Sequence, residues 1–205
     1  MHERKQRRLG AEALWEYALR ALGARAHSTG ELRQKLLNRA QSPADVPPIL
    51  GRLKERGYLD DRRYAEAYSA SRLENKGWGK ARVLGDLRKR RVAPALAEKA
   101  VAAAYRDTDE VALIEAFLRR KFRRVALEAH LAEPKHLAAA YRRLRMAGFS
   151  SGNSLRVLKR LAKEPELLDA LESEEEAGEH LLRCARGESS TYCSSTPAGS
   201  PRRAP

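Results

Sequence analysis

Four leucines of this chain, Leu32, Leu36, Leu50 and Leu53, recur as apolar residues at two fixed offsets. A shift of 51 places carries them onto Val83, Leu87, Val101 and Ala104, and a shift of 108 onto Ala140, Leu144, Leu158 and Leu161. Turn residues coincide at the same offsets: Gln41-Ser42, Val92-Ala93 and Phe149-Ser150. Within each copy the apolar residues follow the 3.6 period of a helix, as in Val46, Ile49, Leu50 and Leu53. The pattern predicts one three-helix unit used three times with a period of about 50 residues, in which each unit buries its apolar face mainly on its neighbour.

The joints between helices are written in the same plain terms. In Leu53 to Arg72, Gly57 is placed to take the left-handed conformation that closes a helix. Asp60 is placed to cap the next helix, Asp61 puts negative charge on its first turn, and Leu59 and Tyr64 stand at the two positions of a hydrophobic staple. Ser28 and Glu31 have the spacing of a capping box. Asp107 to Glu110 opens the third round, and Pro47, Pro48, Pro94 and Pro134 fall in first turns, where an amide hydrogen is not needed.

The expected fold class is all-α: an elongated array of three tandem three-helix repeats, with a basic N-terminal arm and a disordered C-terminal tail. The boundaries are residues 1–11 for the arm, 12–59, 60–106 and 107–163 for the repeats, and 164–205 for the tail. The tail begins acidic, with eight carboxylates between Glu164 and Glu179, and ends rich in Ser and Pro. A composition of that kind does not build a core.

Charge bounds the partner. The chain carries +14 over 205 residues, and residues 1–163 alone hold 37 Lys and Arg against 18 Asp and Glu. Such a field favours a polyanion, nucleic acid or a nucleoprotein, although a well-solvated surface has the same composition. The cations gather near helix ends: Arg88, Lys89, Arg90 and Arg91; Arg119, Arg120, Lys121, Arg123 and Arg124; Arg142, Arg143 and Arg145. These are the candidate DNA- or filament-binding residues. Each cluster alone is also explained as cations placed at a helix C-terminus. Trp78, between two glycines, is a candidate for stacking on a base or for packing, and Tyr64 and Tyr68 read as core.

No pattern points to catalysis. Asp60 and Asp61 are adjacent at a helix start and diverge, so they cannot converge on one substrate atom. His2, His27, His130, His136 and His180 stand at no metal-ligand spacing, with His130 and His136 read as solvent-facing, and Lys76-Gly-Trp-Gly79 lacks the phosphate-loop pattern. The expectation is a chain that is not an enzyme and has no cofactor or metal. Cys184 and Cys193 offer no disulfide framework, no apolar run is long enough to span a membrane, and the compartment expected is the cytoplasm.

Read in order, several segments form one signature: Ala18-Leu-Arg20, Ser28-x-x-Glu31-Leu32-x-x-Lys35-Leu36, Gly57-Tyr58-Leu59-Asp60-Asp61-x-x-Tyr64-Ala65, Ser71-Arg72, Lys76-Gly77, Leu87-x-x-Arg90 and Gly148-Phe149-Ser150. The chain thereby resembles the RecX family, regulators of the bacterial recombinase RecA, over residues 12–163. In this family the residues Gly57, Tyr58, Leu59, Asp60, Asp61 and Tyr64 are structural. Ala40 and Arg91 depart from it, standing where the repeat turn often has glycine. The resemblance implies a monomer that binds RecA–DNA filaments in their groove. It would thereby inhibit RecA's ATPase, strand exchange and co-protease activity in DNA repair and the SOS response. A general DNA- or RNA-binding helical module is the alternative. Asn75 is the only amide side chain on the exposed helix after Asp61, too few for reading base edges.

Overall fold

Tight joints of the kind seen at Gly57 recur along the chain and divide it into short helices. The computed structural model describes residues 8–162. The first seven residues of the basic arm, the acidic segment, both cysteines and the Ser/Pro-rich end lie outside the described residues. Helices α1 (Ala11–Ala24), α2 (Thr29–Leu37) and α3 (Val46–Glu55) come first. Helices α4 (Asp61–Lys76), α5 (Lys80–Lys89) and α6 (Pro94–Ala104) repeat the pattern, followed by α7 (Glu110–Lys121), α8 (Leu127–Leu131), α9 (Pro134–Met146) and α10 (Ser151–Leu161). The described residues form no named strand; a single parallel bridge joins Leu9 to Ala40.

The caps explain the boundaries. Oγ of Ser28 accepts from the Glu31 amide at 3.0 Å, Oδ1 of Asp60 from Arg63 at 3.0 Å, and Oδ1 of Asp109 from Val111 at 2.9 Å. Each satisfies an amide the helix leaves unpaired. Gly57 has φ of 70°, and the amide of Tyr58 donates back to Leu53 O at 2.9 Å while Gly57 donates to Lys54 O. This is the doubly bonded left-handed stop predicted for the joint.

Two cores are built from these helices. Leu14, Trp15 and Ala18 of α1 meet Leu32 and Leu36 of α2, Val46, Ile49, Leu50 and Leu53 of α3, and Leu59. Ala65 of α4, Val83 and Leu87 of α5, and Ala97, Ala100 and Val101 of α6 form the second, with Tyr105. Of the two staple positions, Leu59 completes the first core and Tyr64 packs on the second. Beyond them α10 packs on both α7 and α9, burying Ile114, Leu118, Leu144, Leu155 and Leu158, with Phe117 and Phe149 edge to face at 5.4 Å.

One contact recurs between successive units. The N-terminus of α2 lies on the turn between α5 and α6, with Ser28 Oγ donating to Arg90 O. The N-terminus of α5 lies in the same way on the turn between α9 and α10, where Gly79 donates to Ala147 O at 2.9 Å and Ala81 to Gly148 O at 3.1 Å. The approach is close enough to require small residues. A Cβ on Gly30 would stand 2.5 Å from Arg91 Cβ and 2.6 Å from Arg91 O, and a Cβ on Gly79 would collide with the Gly148 carbonyl. The turn itself is left-handed in both copies, with φ of 61° at Arg91 and 88° at Gly148. Arg91, which departs from the family pattern, thus holds the glycine conformation without being glycine.

Two local expectations are corrected. The Ser28–Glu31 box is half formed, because the Glu31 carboxylate turns to Arg25 and His27 instead of the Ser28 amide. Helix α7 is capped by Asp109, and Glu110 reaches across to α10, accepting from Ser150 N at 2.9 Å, Ser150 Oγ at 2.7 Å and Asn153 Nδ2 at 2.6 Å. His130 and His136 stack on each other at 4.0 Å, with Phe122 5.0 Å from His130, and both stay half-exposed. At the end of the basic arm Leu9 donates to Arg39 O and accepts from Gln41 N, both at 2.8 Å.

Candidate filament and nucleic-acid interface

Helix ends place the predicted cations as expected, but their surroundings divide them. Arg88 and Lys89 are exposed on the last turn of α5, Arg88 lying 3.7 Å from Glu98. Arg90 is half-buried: it donates to the Tyr64 hydroxyl at 3.1 Å, lies 3.6 Å from Glu31, and stacks 4.8 Å from the Tyr68 ring. Arg120 donates to Lys76 O, and Arg145 to Phe149 O at 2.7 Å, so both close turns. Arg119 lies 3.8 Å from Glu115 on its own helix. Lys121, Arg123, Arg124 and Arg142 are exposed and make no ion pair among the described residues, and Arg143 is exposed beside Phe122. The second cluster thus presents three exposed cations without ion pairs, of which Lys121 lies 5.7 Å from the Phe117 ring.

A second basic site lies between α1 and α4, and of the charge runs only the first reaches it, through Arg90. A groove of about 830 Å³ opens there, with Arg25, Arg63, Arg72 and Arg90 along it and Tyr58, Tyr64 and Tyr68 among its walls. Tyr64, Tyr68 and Arg72 are spaced four apart on α4, a spacing that sets them on one helical face. The Tyr64 and Tyr68 rings stack at 6.1 Å, and the Arg72 guanidinium lies 4.5 Å from Tyr68 and 5.4 Å from Trp78. Arg82 covers Trp78 at 4.1 Å. Tyr64 and Tyr68 are therefore half-buried groove walls as well as packing residues. Burial raises the Tyr64 hydroxyl above its ordinary range, though Arg90 opposes it, so the ring stays neutral at pH 7.

Glu31 holds one end of this groove. It pairs with Arg25 at 2.5 Å, His27 Nδ1 at 3.0 Å and Arg90 at 3.6 Å. Burial works against the charged carboxylate, but the hydrogen bonds from Arg25 and His27 outweigh it and hold Glu31 below the usual carboxylate range. Burial pushes His27 below the usual histidine range. Neutral His27 then donates from Nδ1 to Glu31 and faces Lys35 Nζ with Nε2 at 3.5 Å. We expect Glu31→Gln to cost about 1–2 kcal/mol at neutral pH, read by urea unfolding. A depressed folded pKa stabilises above the unfolded value, and that stability is lost as pH falls through the folded one. The gap between wild type and variant should therefore close in acid below the ordinary carboxylate range; a gap that persists there contradicts the ion-pair account.

Among the described residues no three His, Cys, Asp or Glu side chains gather to hold a metal ion, and no helix is long and apolar enough to cross a membrane. Comparison with known proteins assigns the frame. The first three-helix domain of RecX matches residues 15–53, and the second three-helix domain matches residues 60–101. Over 112 residues the chain is 38% identical to the regulatory protein RecX of Halorhodospira halophila, covering 55% of this chain and 68% of that one. The chain belongs to the RecX family. The regulatory protein RecX of Pelodictyon phaeoclathratiforme is 30% identical over 135 residues, covering 66% of this chain and 76% of that relative. The crystal structure of RecX from Lactobacillus salivarius shares the fold, with a TM-score of 0.56 at 19% identity over 74% of this chain and 96% of that one. In RecX terms, Arg25 and Glu31 lie in the first matched domain, and Tyr64, Tyr68, Arg72 and Arg90 in the second, so the groove runs between the two. The relatives are regulatory proteins by name, and a regulatory role is the family's.

Proposed function

We propose that this chain is a non-enzymatic regulator of RecA that binds RecA–DNA filaments in the cytoplasm as a monomer. By binding them it damps ATP hydrolysis, strand exchange and co-protease activity. The observation that carries this reading is the match to two consecutive RecX domains flanking the Gly57–Tyr64 joint. In this reading residues 12–59, 60–106 and 107–163 are three copies of one unit, with residues 1–11 and 164–205 as basic and acidic extensions. The repeated contact between units, made at Arg90 and again at Ala147, supports the third copy. Successive units would bridge successive filament protomers. The exposed cations at helix ends supply salt-sensitive attraction to phosphate and to acidic filament surface.

The excess of cations also suits a general DNA- or RNA-binding module. Sedimentation at physiological salt separates the two. The regulator reading predicts that the protein pellets with RecA–DNA filaments at concentrations where bare strand of the same length retains little. Equal retention by bare strand favours the general module.

A further inference from the structure

The groove between α1 and α4 combines features that neither the basic clusters nor the core requires. Tyr58 is 55% exposed at its mouth, an unusual position for a large ring. Its backbone amide closes the α3 stop, and that bond does not need an aromatic side chain. Farther in, Tyr68 offers a ring flanked by the guanidinium planes of Arg72 and Arg90. The buried Nε of Arg72 has no hydrogen-bond partner, and neither Arg72 nor Arg63 makes an ion pair among the described residues. Asp60 is the one carboxylate among the lining residues, and it already accepts from the Arg63 amide.

We propose that this groove binds single-stranded nucleic acid, with an unstacked base against Tyr58 and its phosphates on Arg63 and Arg72. Flat rings alternating with guanidinium planes match the two faces a single strand presents, base and backbone, without reading sequence. A duplex hides its base faces in the stack, so it gains only the charge. The volume, about 830 Å³, falls in the range of pockets that enclose small ligands, enough for a nucleotide or two and too small for a helix of DNA. An acidic peptide matches the charge but leaves the aromatic faces unused. The site is separate from the exposed helix-end cations, and it stands whether or not the partner is a recombinase.

The test uses the full chain and a dye-labelled oligo-dT, followed by fluorescence anisotropy with no recombinase present. Tyr58→Ala should lower affinity about tenfold and leave the salt slope unchanged, since stacking releases no counterions. Tyr58→Phe should restore binding. Arg63→Gln should weaken binding and lower the slope by about one. A labelled duplex should be insensitive to Tyr58→Ala, and an oligonucleotide carrying 5-iodouracil should crosslink to Tyr58 on irradiation. Unchanged oligo-dT binding by Tyr58→Ala, an equal loss for duplex, or displacement of the effect to polyglutamate would each overturn the proposal. Because only DNA is added, any of these leaves the RecA reading standing.

Discussion

Gly79→Ala is expected to destabilise the protein by about 2–3 kcal/mol, the range of a severe overpacking. Gly79 is the N-cap of α5 with φ of −76°, a conformation any residue adopts, so the cost is purely steric. Its Cβ would run into the carbonyl of Gly148, and the obstacle is backbone, which cannot swing aside as a side chain would. Relief requires α5 to withdraw from the α9–α10 turn, which breaks the bonds from Gly79 to Ala147 and from Ala81 to Gly148. Gly85, in the middle of the same helix, supplies the control. A Cβ there meets nothing within 4 Å, and Gly85→Ala should stabilise by about 0.5–1 kcal/mol through helix propensity. Urea unfolding of the pair checks both. Equal effects at the two positions would mean that the contact between units does not contribute to stability.

Replacing Lys121, Arg123 and Arg124 together by alanine is expected to weaken binding to DNA-containing filaments about a hundredfold at physiological salt. Each of the three cations neutralises one phosphate in the complex, so the slope of log K against log salt should also fall by about 2–3. These three are chosen because they are exposed and make no ion pair among the described residues. Their neighbours are engaged: Arg119 faces Glu115 and Arg120 holds the Lys76 carbonyl. Substituting Arg120 alone should therefore disturb the α4–α5 turn more than the salt slope. An unchanged slope for the triple variant removes this cluster from the contact surface.

Most helix ends were legible in the chain to within a residue or two, but the short α8 at Leu127–Leu131 makes a fourth helix in a stretch read as three. Gly57, Asp60, Pro94 and Pro134 stop or start helices through bonds that a single turn contains, and such signals are written in adjacent residues. What was not legible depends on residues brought together from far apart. Glu31 and Glu110 have the spacing of caps for their own helices, yet Glu31 gathers two arginines and a histidine, and Glu110 caps α10. Asp61 likewise serves a distant helix, accepting from Thr29 N at 2.6 Å. The rule that Gly30 and Gly79 obey was hidden for the same reason, since each is small only because another unit's turn lies against it. Charge runs marked the helix-end cations but could not separate Arg90 and Arg145, which bind their own fold, from Arg123 and Arg124. The α1–α4 groove was missed because its arginines come from separate segments, with only Arg90 drawn from a marked cluster; the four-residue spacing of Tyr64, Tyr68 and Arg72 was the available signal.

The central claim is tested most directly by RecA's DNA-dependent ATPase, measured at fixed salt while this protein is titrated in. The account predicts a progressive fall in ATP hydrolysis over the concentrations at which the protein sediments with filaments. The Lys121, Arg123 and Arg124 triple variant should need correspondingly more protein. Full binding to filaments with hydrolysis unchanged would contradict it.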